Sequence, residues 1–180
     1  MGALDQVVVR ERTDADLPVL VDVLSAQQPH SGYPQRWPLP YPVEQFLARA
    51  SEERAWVAEV DGVVAGHVAV TRVEPGDEAQ IWSGGAARPP EELRTVAVLF
   101  VDHRLAGRGV GSALLEKAVE AIRAQGHTPV LDVVQETAAA VQLYRRRGWQ
   151  VVGEGRPWWL PSDHLPVLFM VLPDDPAGLA

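Results

Sequence analysis

The sequence predicts an α/β fold, with a mixed, mostly antiparallel central sheet of about seven strands flanked by about four helices. Three observations predict it. Seven short apolar runs of strand length recur along the 180 residues. Two of them, Ala55 to Val60 and Val63 to Val70, are joined by Asp61-Gly62 alone, and that pair suits the positive φ values of a tight hairpin turn. Later runs alternate with segments of helical period, as in βαβ-like crossovers. A chain that makes both hairpins and crossovers needs a mixed sheet.

Each element has its own signal. Gln6 to Arg10 is short and β-branched, a first strand. Thr13 or Asp14 caps a helix whose face carries Leu17, Leu20, Val21 and Leu24, with Pro18 tolerated in its first turn. Gln28 to Pro42 holds five prolines with Tyr33, Trp37 and Tyr41 among them, and reads as a loop. Its aromatics either cover the core or form a lip for an acceptor. Val43 to Ser51 reads as a short helix, Pro75 to Glu92 as a Gly- and Pro-rich excursion, and Leu93 to Val101 as a central strand. Gly109 to Ala124 is helical, with Leu114, Leu115, Ala118, Val119 and Ile122 on one face, and Gly126 stops it. Then come a strand from Pro129 to Val134, a helix from Thr137 to Arg147 ended by Gly148, and strands at Trp149 to Val152 and Pro166 to Leu172. No internal repeat and no second domain is seen.

Composition narrows the function classes. With no cysteine there is no disulfide framework, thiolate metal site or cysteine nucleophile, which fits a cytoplasmic setting. The five histidines are scattered without ligand spacing, so no metal is expected. The first ten residues lack the pattern of a signal peptide, and no run approaches the roughly 18 apolar residues of a membrane span. A net charge of −8 argues against nucleic acid as a partner and favours a cationic acceptor.

The richest signal follows the apolar strand that ends at Val101. Ala106-Gly107-Arg108-Gly109-Val110-Gly111-Ser112 leads into the amphipathic helix. Glycine at alternate positions lets successive N–H groups converge, and the helix start adds the positive end of its dipole. Such a loop cradles a pyrophosphate, with Arg104 and Arg108 as counter-charge. A P-loop would need Gly-Lys-Ser/Thr five residues after Gly107, where Ser112 stands with no lysine following. A dinucleotide fold would place its third glycine at Ser112 and its first directly after the strand, although Asp132 could serve as its acid. The remaining reading is a coenzyme A site.

The run Leu99 to Leu115 resembles motif A of the GCN5-related N-acetyltransferase (GNAT) family, in which Gln/Arg-x-x-Gly-x-Gly/Ala follows a strand. Gly109 and Gly111 match, while Ala106 stands where the family has Arg or Gln. Thr137, Ala140, Leu143-Tyr144 and Gly148-Trp149 resemble motif B, with Thr137 replacing an asparagine, and Asp16-Leu17-Pro18 looks like the family's opening. The resemblance covers about residues 6–172. It implies a single N-acetyltransferase domain over residues 1–172, with 173–180 as an unstructured tail. It implies acetyl-CoA as co-substrate, held by Leu99, Phe100, Val101, Ala106, Gly107, Arg108, Gly109, Val110, Gly111, Ser112 and Thr137.

The implied reaction is direct attack of a primary amine on the thioester, with an oxyanion forming and CoA leaving as a thiolate. Tyr144 occupies the family's acid position. A phenol stays protonated at neutral pH, so it can protonate the leaving thiolate. Backbone N–H groups at Phe100 or Val101 are the oxyanion donors. Asp132, an acid in an apolar strand whose partial burial would raise its pKa, is the expected base, directly or through a water; Glu92 and His67 are further candidates. Trp82, Trp158 and Trp159 either wall an acceptor pocket or anchor the core. Arg145-Arg146-Arg147 reads as a solvated helix end, or one of them meets a CoA phosphate. The acceptor is a small molecule or a peptide N-terminus. A non-catalytic acyl-CoA sensor is the alternative, and a homodimer stays open.

Overall fold

The computed structural model of the chain describes residues 6–174. Its strands are β1 (Val7–Glu11), β2 (Glu52–Val60), β3 (Val63–Arg72), β4 (Leu93–Val101), β5 (Thr128–Val133), β6 (Gln150–Gly155) and β7 (Val167–Val171). Its α-helices are α1 (Leu17–Ser31), α2 (Val43–Leu47), α3 (Asp77–Ala86), α4 (Val110–Ala124) and α5 (Ala138–Arg146). The sheet runs in the order β1-β2-β3-β4-β5-β7-β6. The pairs β1–β2, β2–β3, β5–β7 and β6–β7 are antiparallel, and β4–β5 is parallel. The mixed, mostly antiparallel sheet of seven strands is therefore the one that forms.

Contacts group the chain into two compact units. One holds the residues up to Thr71 with Val96–Ala121, and the other holds Arg72–Thr95 with the chain from Ile122 onward.

In the first unit, Arg10 ties β1 to the turn before α1. Its guanidinium donates to both oxygens of Asp16 at 2.8 Å and to Glu59 at 2.8 Å. Asp16 also accepts from the Thr13 N–H at 2.7 Å, and Arg10 holds its carboxyl well below the usual range. The Asp61-Gly62 turn has φ of 51° and 81°, the signs a two-residue hairpin requires. The core gathers Leu20 and Leu24 of α1, Phe46 and Leu47 of α2, and Val57, Ala69, Val98 and Phe100 of the sheet. Tyr33, Trp37 and Tyr41 pack against it, so the aromatics of the proline-rich segment cover core.

In the second unit, Trp82 on α3 meets Phe169 on β7 edge-on, with ring centroids 5.2 Å apart. Its Nε1–H donates to the Leu131 carbonyl at 3.1 Å. A buried indole with its one donor satisfied is a core anchor, not a pocket wall. Leu93, Val130, Val167, Phe169 and Val171 complete this core.

Two expectations need correction. The stretch from Pro75 to Glu92 is not a simple excursion, because it contains α3, a fifth helix. And α1 runs through Pro29 to Ser31, so the proline-rich loop starts only at Gly32, whose φ of 73° ends the helix. The C-terminal tail, beyond Asp174, lies outside the described residues.

Candidate active site

The glycine loop belongs to the first unit. Gly107 and Gly109 have φ of 79° and 82°, and a Cβ at either would meet nothing within 4 Å. The glycines are thus required by the backbone turn, and the space beside them is open. Between them Arg108 donates its N–H to Leu105 O at 3.3 Å. The i→i−4 ladder of α4 starts with Ala113 N–H on Gly109 O at 3.0 Å, so the N–H groups before it point outward from the helix start. Alternating left-handed glycines at a helix N-terminus form an anion-binding concavity, and the loop fits a pyrophosphate. Arg104, expected as counter-charge, folds back onto buried Asp102, donating at 3.0 and 2.6 Å. Its charge is neutralised there, and Arg104 in turn lowers the Asp102 pKa.

β4 is kinked just before this loop. Val98 has a φ of 51°, a sterically costly value for a β-branched residue. β4 pairs with β5 only through Leu93, Arg94 and Thr95. After the kink, the Phe100 carbonyl lies against Gly66 of β3, where a Cβ would come within 3.0 Å of the oxygen. The Asp102 N–H donates to Ala65 O at 2.7 Å. Both groups face β3, and strand edges alternate, so the Val101 N–H points to the other edge and that of Phe100 does not. Of the two oxyanion candidates, Val101 has the outward N–H.

His67, a candidate base, is fully buried in β3. Its Nδ1 lies 2.8 Å from the Val98 carbonyl and its Nε2 3.0 Å from Arg12 Nη1. A carbonyl only accepts and a guanidinium only donates, so the ring is neutral with its proton on Nδ1. Burial lowers its pKa to about 4, against the opposing Val98 bond and with Arg12 and Arg49 adding to the shift. Both nitrogens are committed, which removes it as a base.

The acid and phenol groups belong to the second unit. Tyr144 on α5 is half-buried, with its ring 5.9 Å from that of Trp149. Burial and then the charge of Asp132 push its pKa up to about 12, so it stays protonated across the neutral range. Asp132, near the end of β5, is exposed and not partly buried as its apolar strand suggested; the strand's burial stops at Leu131. The half-buried carboxyl is instead Glu78, in the first turn of α3. Its pKa is raised by burial first, then by Asp132, Asp77 and Glu74. Sequence reasoning missed Glu78 because it lies inside the segment read as an excursion. Thr137 starts α5, and its hydroxyl makes no capping bond to that helix. Glu92 sits 3.7 Å from Arg88 in an exposed i,i+4 ion pair. Trp159 packs on the second core, whereas Trp158 is 74% exposed. Among the described residues, no cluster of three or more His, Asp or Glu side chains could hold a metal ion, and no helix is long and apolar enough to cross a membrane.

Comparison with solved structures matches this architecture. The chain is similar to the ribosomal-protein-S18-alanine N-acetyltransferase of Escherichia coli, with TM-score 0.66 and 17% identity over 97% of this chain and 99% of that one. It is also similar to yncA from Salmonella typhimurium, solved with its cofactor acetyl-CoA, with TM-score 0.67 and 20% identity over 94% and 95% of the two chains. These likenesses show the fold. In sequence, a mycothiol acetyltransferase of Cellulomonas flavigena is 37% identical over 109 residues, 56% of this chain and 30% of that protein. The chain spans less than half the length of the curated relatives it matches. The model of the acetyltransferase (GNAT) family matches residues 20–149, a span from within α1 through the glycine loop to Trp149 after Tyr144. Fold, loop and sequence agree, and the chain belongs to the GNAT acetyltransferase family.

Proposed function

We propose that the protein is a cytoplasmic N-acetyltransferase that moves the acetyl group of acetyl-CoA directly to a primary amine of a small molecule or a peptide N-terminus. The observation that carries this reading is the pair of left-handed glycines, Gly107 and Gly109, opening onto free space at the start of α4. When bound there, acetyl-CoA supplies the activated acetyl group. The chain supplies the rest. Backbone N–H groups of Gly107 and of Gly109 to Ser112 hold the pyrophosphate, the Arg108 N–H being committed to Leu105 O, and Leu99 and Val101 offer outward main-chain groups along β4. Tyr144, held protonated by its raised pKa, is the proton donor to the leaving thiolate.

Proton removal from the incoming ammonium falls to acids of the second unit. Asp132 accepts through water from its exposed position, and Glu78, whose pKa is raised by burial and by the neighbouring acids, is a second carboxylate for the role. Asp132, Asp77 and Glu74 lie close enough to Glu78 to raise its pKa, and carboxylates gathered in this way suit a cationic acceptor.

The test is thiol release from acetyl-CoA with polyamines, aminoglycosides, amino acids and short peptides as acceptors. Turnover with one class names the acceptor. Tight acetyl-CoA binding without turnover on any amine supports a non-catalytic acyl-CoA sensor, and failure to bind acetyl-CoA ends the reading.

A further inference from the structure

Val98 is the most strained described position in β4: a β-branched residue at φ 51° in the middle of an otherwise regular strand. A conformation of this kind costs about 1–3 kcal/mol and persists only where its surroundings over-determine it. The group that does so is His67, whose Nδ1–H donates to the Val98 carbonyl at 2.8 Å inside the first core. The ring is in turn fixed from behind. Arg12 Nη1 lies 3.0 Å from Nε2, 3.0 Å from the Leu47 carbonyl and 2.9 Å from Glu52, so its two hydrogens are shared among three acceptors. Arg12 Nη2 closes a second bond to Glu52 at 2.6 Å, making the pair bidentate. The imidazole also stacks on Phe100, with centroids 5.6 Å apart. Glu52, Arg12, His67 and Val98 therefore form one relay, half-buried at Glu52 and Arg12 and fully buried at His67 and Val98, across residues flanking or lying in β1 to β4.

We propose that His67 is a positioning residue for acyl-CoA: by clamping the Val98 carbonyl from its Nδ1–H, it holds the kink that aims the Leu99 and Val101 main chain away from β3 and toward the acyl group. The inference rests on the reading of β4 as part of the acetyl-CoA site. Nothing in it requires His67 to touch the substrate. Its effect passes along one strand, from the Val98 carbonyl to the peptide groups that follow.

Two substitutions separate clamping from mere core filling. In His67→Asn the side-chain amide nitrogen falls where Nδ1 lies, so the donor to Val98 survives while Arg12 loses a partner. In His67→Gln the amide reaches the Nε2 position, so Arg12 keeps a partner while the Val98 carbonyl loses its donor. Both variants remove the ring and both lower the melting temperature. Calorimetric titration with acetyl-CoA and with CoA, and backbone chemical shifts that report φ at Val98, are then compared. His67→Asn is expected to keep acetyl-CoA affinity within about threefold and to keep Val98 at positive φ. His67→Gln is expected to lose about tenfold or more for acetyl-CoA, less for CoA, with Val98 relaxing to an ordinary strand value. Equal affinities in the two variants, or a positive φ retained in His67→Gln, overturns the proposal. If the wild type binds no acetyl-CoA, the transferase reading fails, while Val98 φ in the two variants still decides the clamp. If a variant does not fold, the wild-type ring decides: nitrogen shifts must show the proton on Nδ1 and a coupling across the bond to Val98, and a proton on Nε2 overturns the proposal.

Discussion

The two compact units contribute in different currencies of structure. In the first, the candidate substrate contacts are main chain: the glycine loop, the helix start and the kinked end of β4. In the second, they are side chains: the phenol of Tyr144 and the carboxylates of Asp132 and Glu78. A main-chain site tolerates most side-chain changes and fails when backbone geometry fails. A side-chain site keeps its shape under conservative truncation and loses its chemistry. The chain's departures from the family motifs, Ala106 and Thr137, are side-chain changes: the first falls in the backbone-built loop, and the second leaves the phenol and carboxylates of the other unit in place.

The sharpest break in the comparison is Tyr144→Phe. It should lower kcat by about 10²–10³-fold with acetyl-CoA affinity unchanged, measured by thiol release and calorimetry on an acceptor that turns over. Next is an acid titration of stability, which sees the first unit through His67. Its folded pKa of about 4 lies below the ordinary histidine value of 6.5, so the unfolded chain binds more protons between those values. Stability should fall as pH drops from about 6.5 to 4, by about 3 kcal/mol in total from this group, and urea melts across that window check it. Gly109→Ala comes third. Its φ of 82° disfavours any Cβ even in open space, so acetyl-CoA affinity should fall about tenfold and stability by about 1–2 kcal/mol, whereas Arg108→Ala should change affinity less. The smallest effect is Glu78→Gln. A carboxyl whose folded pKa is raised destabilises the fold as pH climbs from its unfolded value through the folded one, so the amide should raise stability at pH 7, read from urea melts, while slowing turnover.

How much of this was legible depended on whether the cause was local. The Asp61-Gly62 turn and the loop glycines announce themselves because their φ values are set by the residues themselves. α3 was hidden because Gly84 and Gly85 read as breakers. Gly85 is there for a tertiary reason: a Cβ would come within 2.3–2.7 Å of the Val152 side chain on β6. The same holds for Val98. In sequence it is one more β-branched residue in an apolar run, and its strained φ depends on an imidazole 31 positions away. Asp132 shows the limit of inference from neighbours in sequence, since the burial of an apolar strand can stop one residue before the acid within it.

The Asp102–Arg104 pair described beside the loop carries a consequence for ionic strength. With that guanidinium paired to a carboxylate and the chain at net −8, the protein as a whole repels a polyanionic coenzyme at long range, and the loop attracts it at short range through its N–H groups and Arg108. Added salt then screens repulsion more than attraction, so coenzyme association should hold steady or quicken as salt rises, opposite to a phosphate site built on exposed arginines.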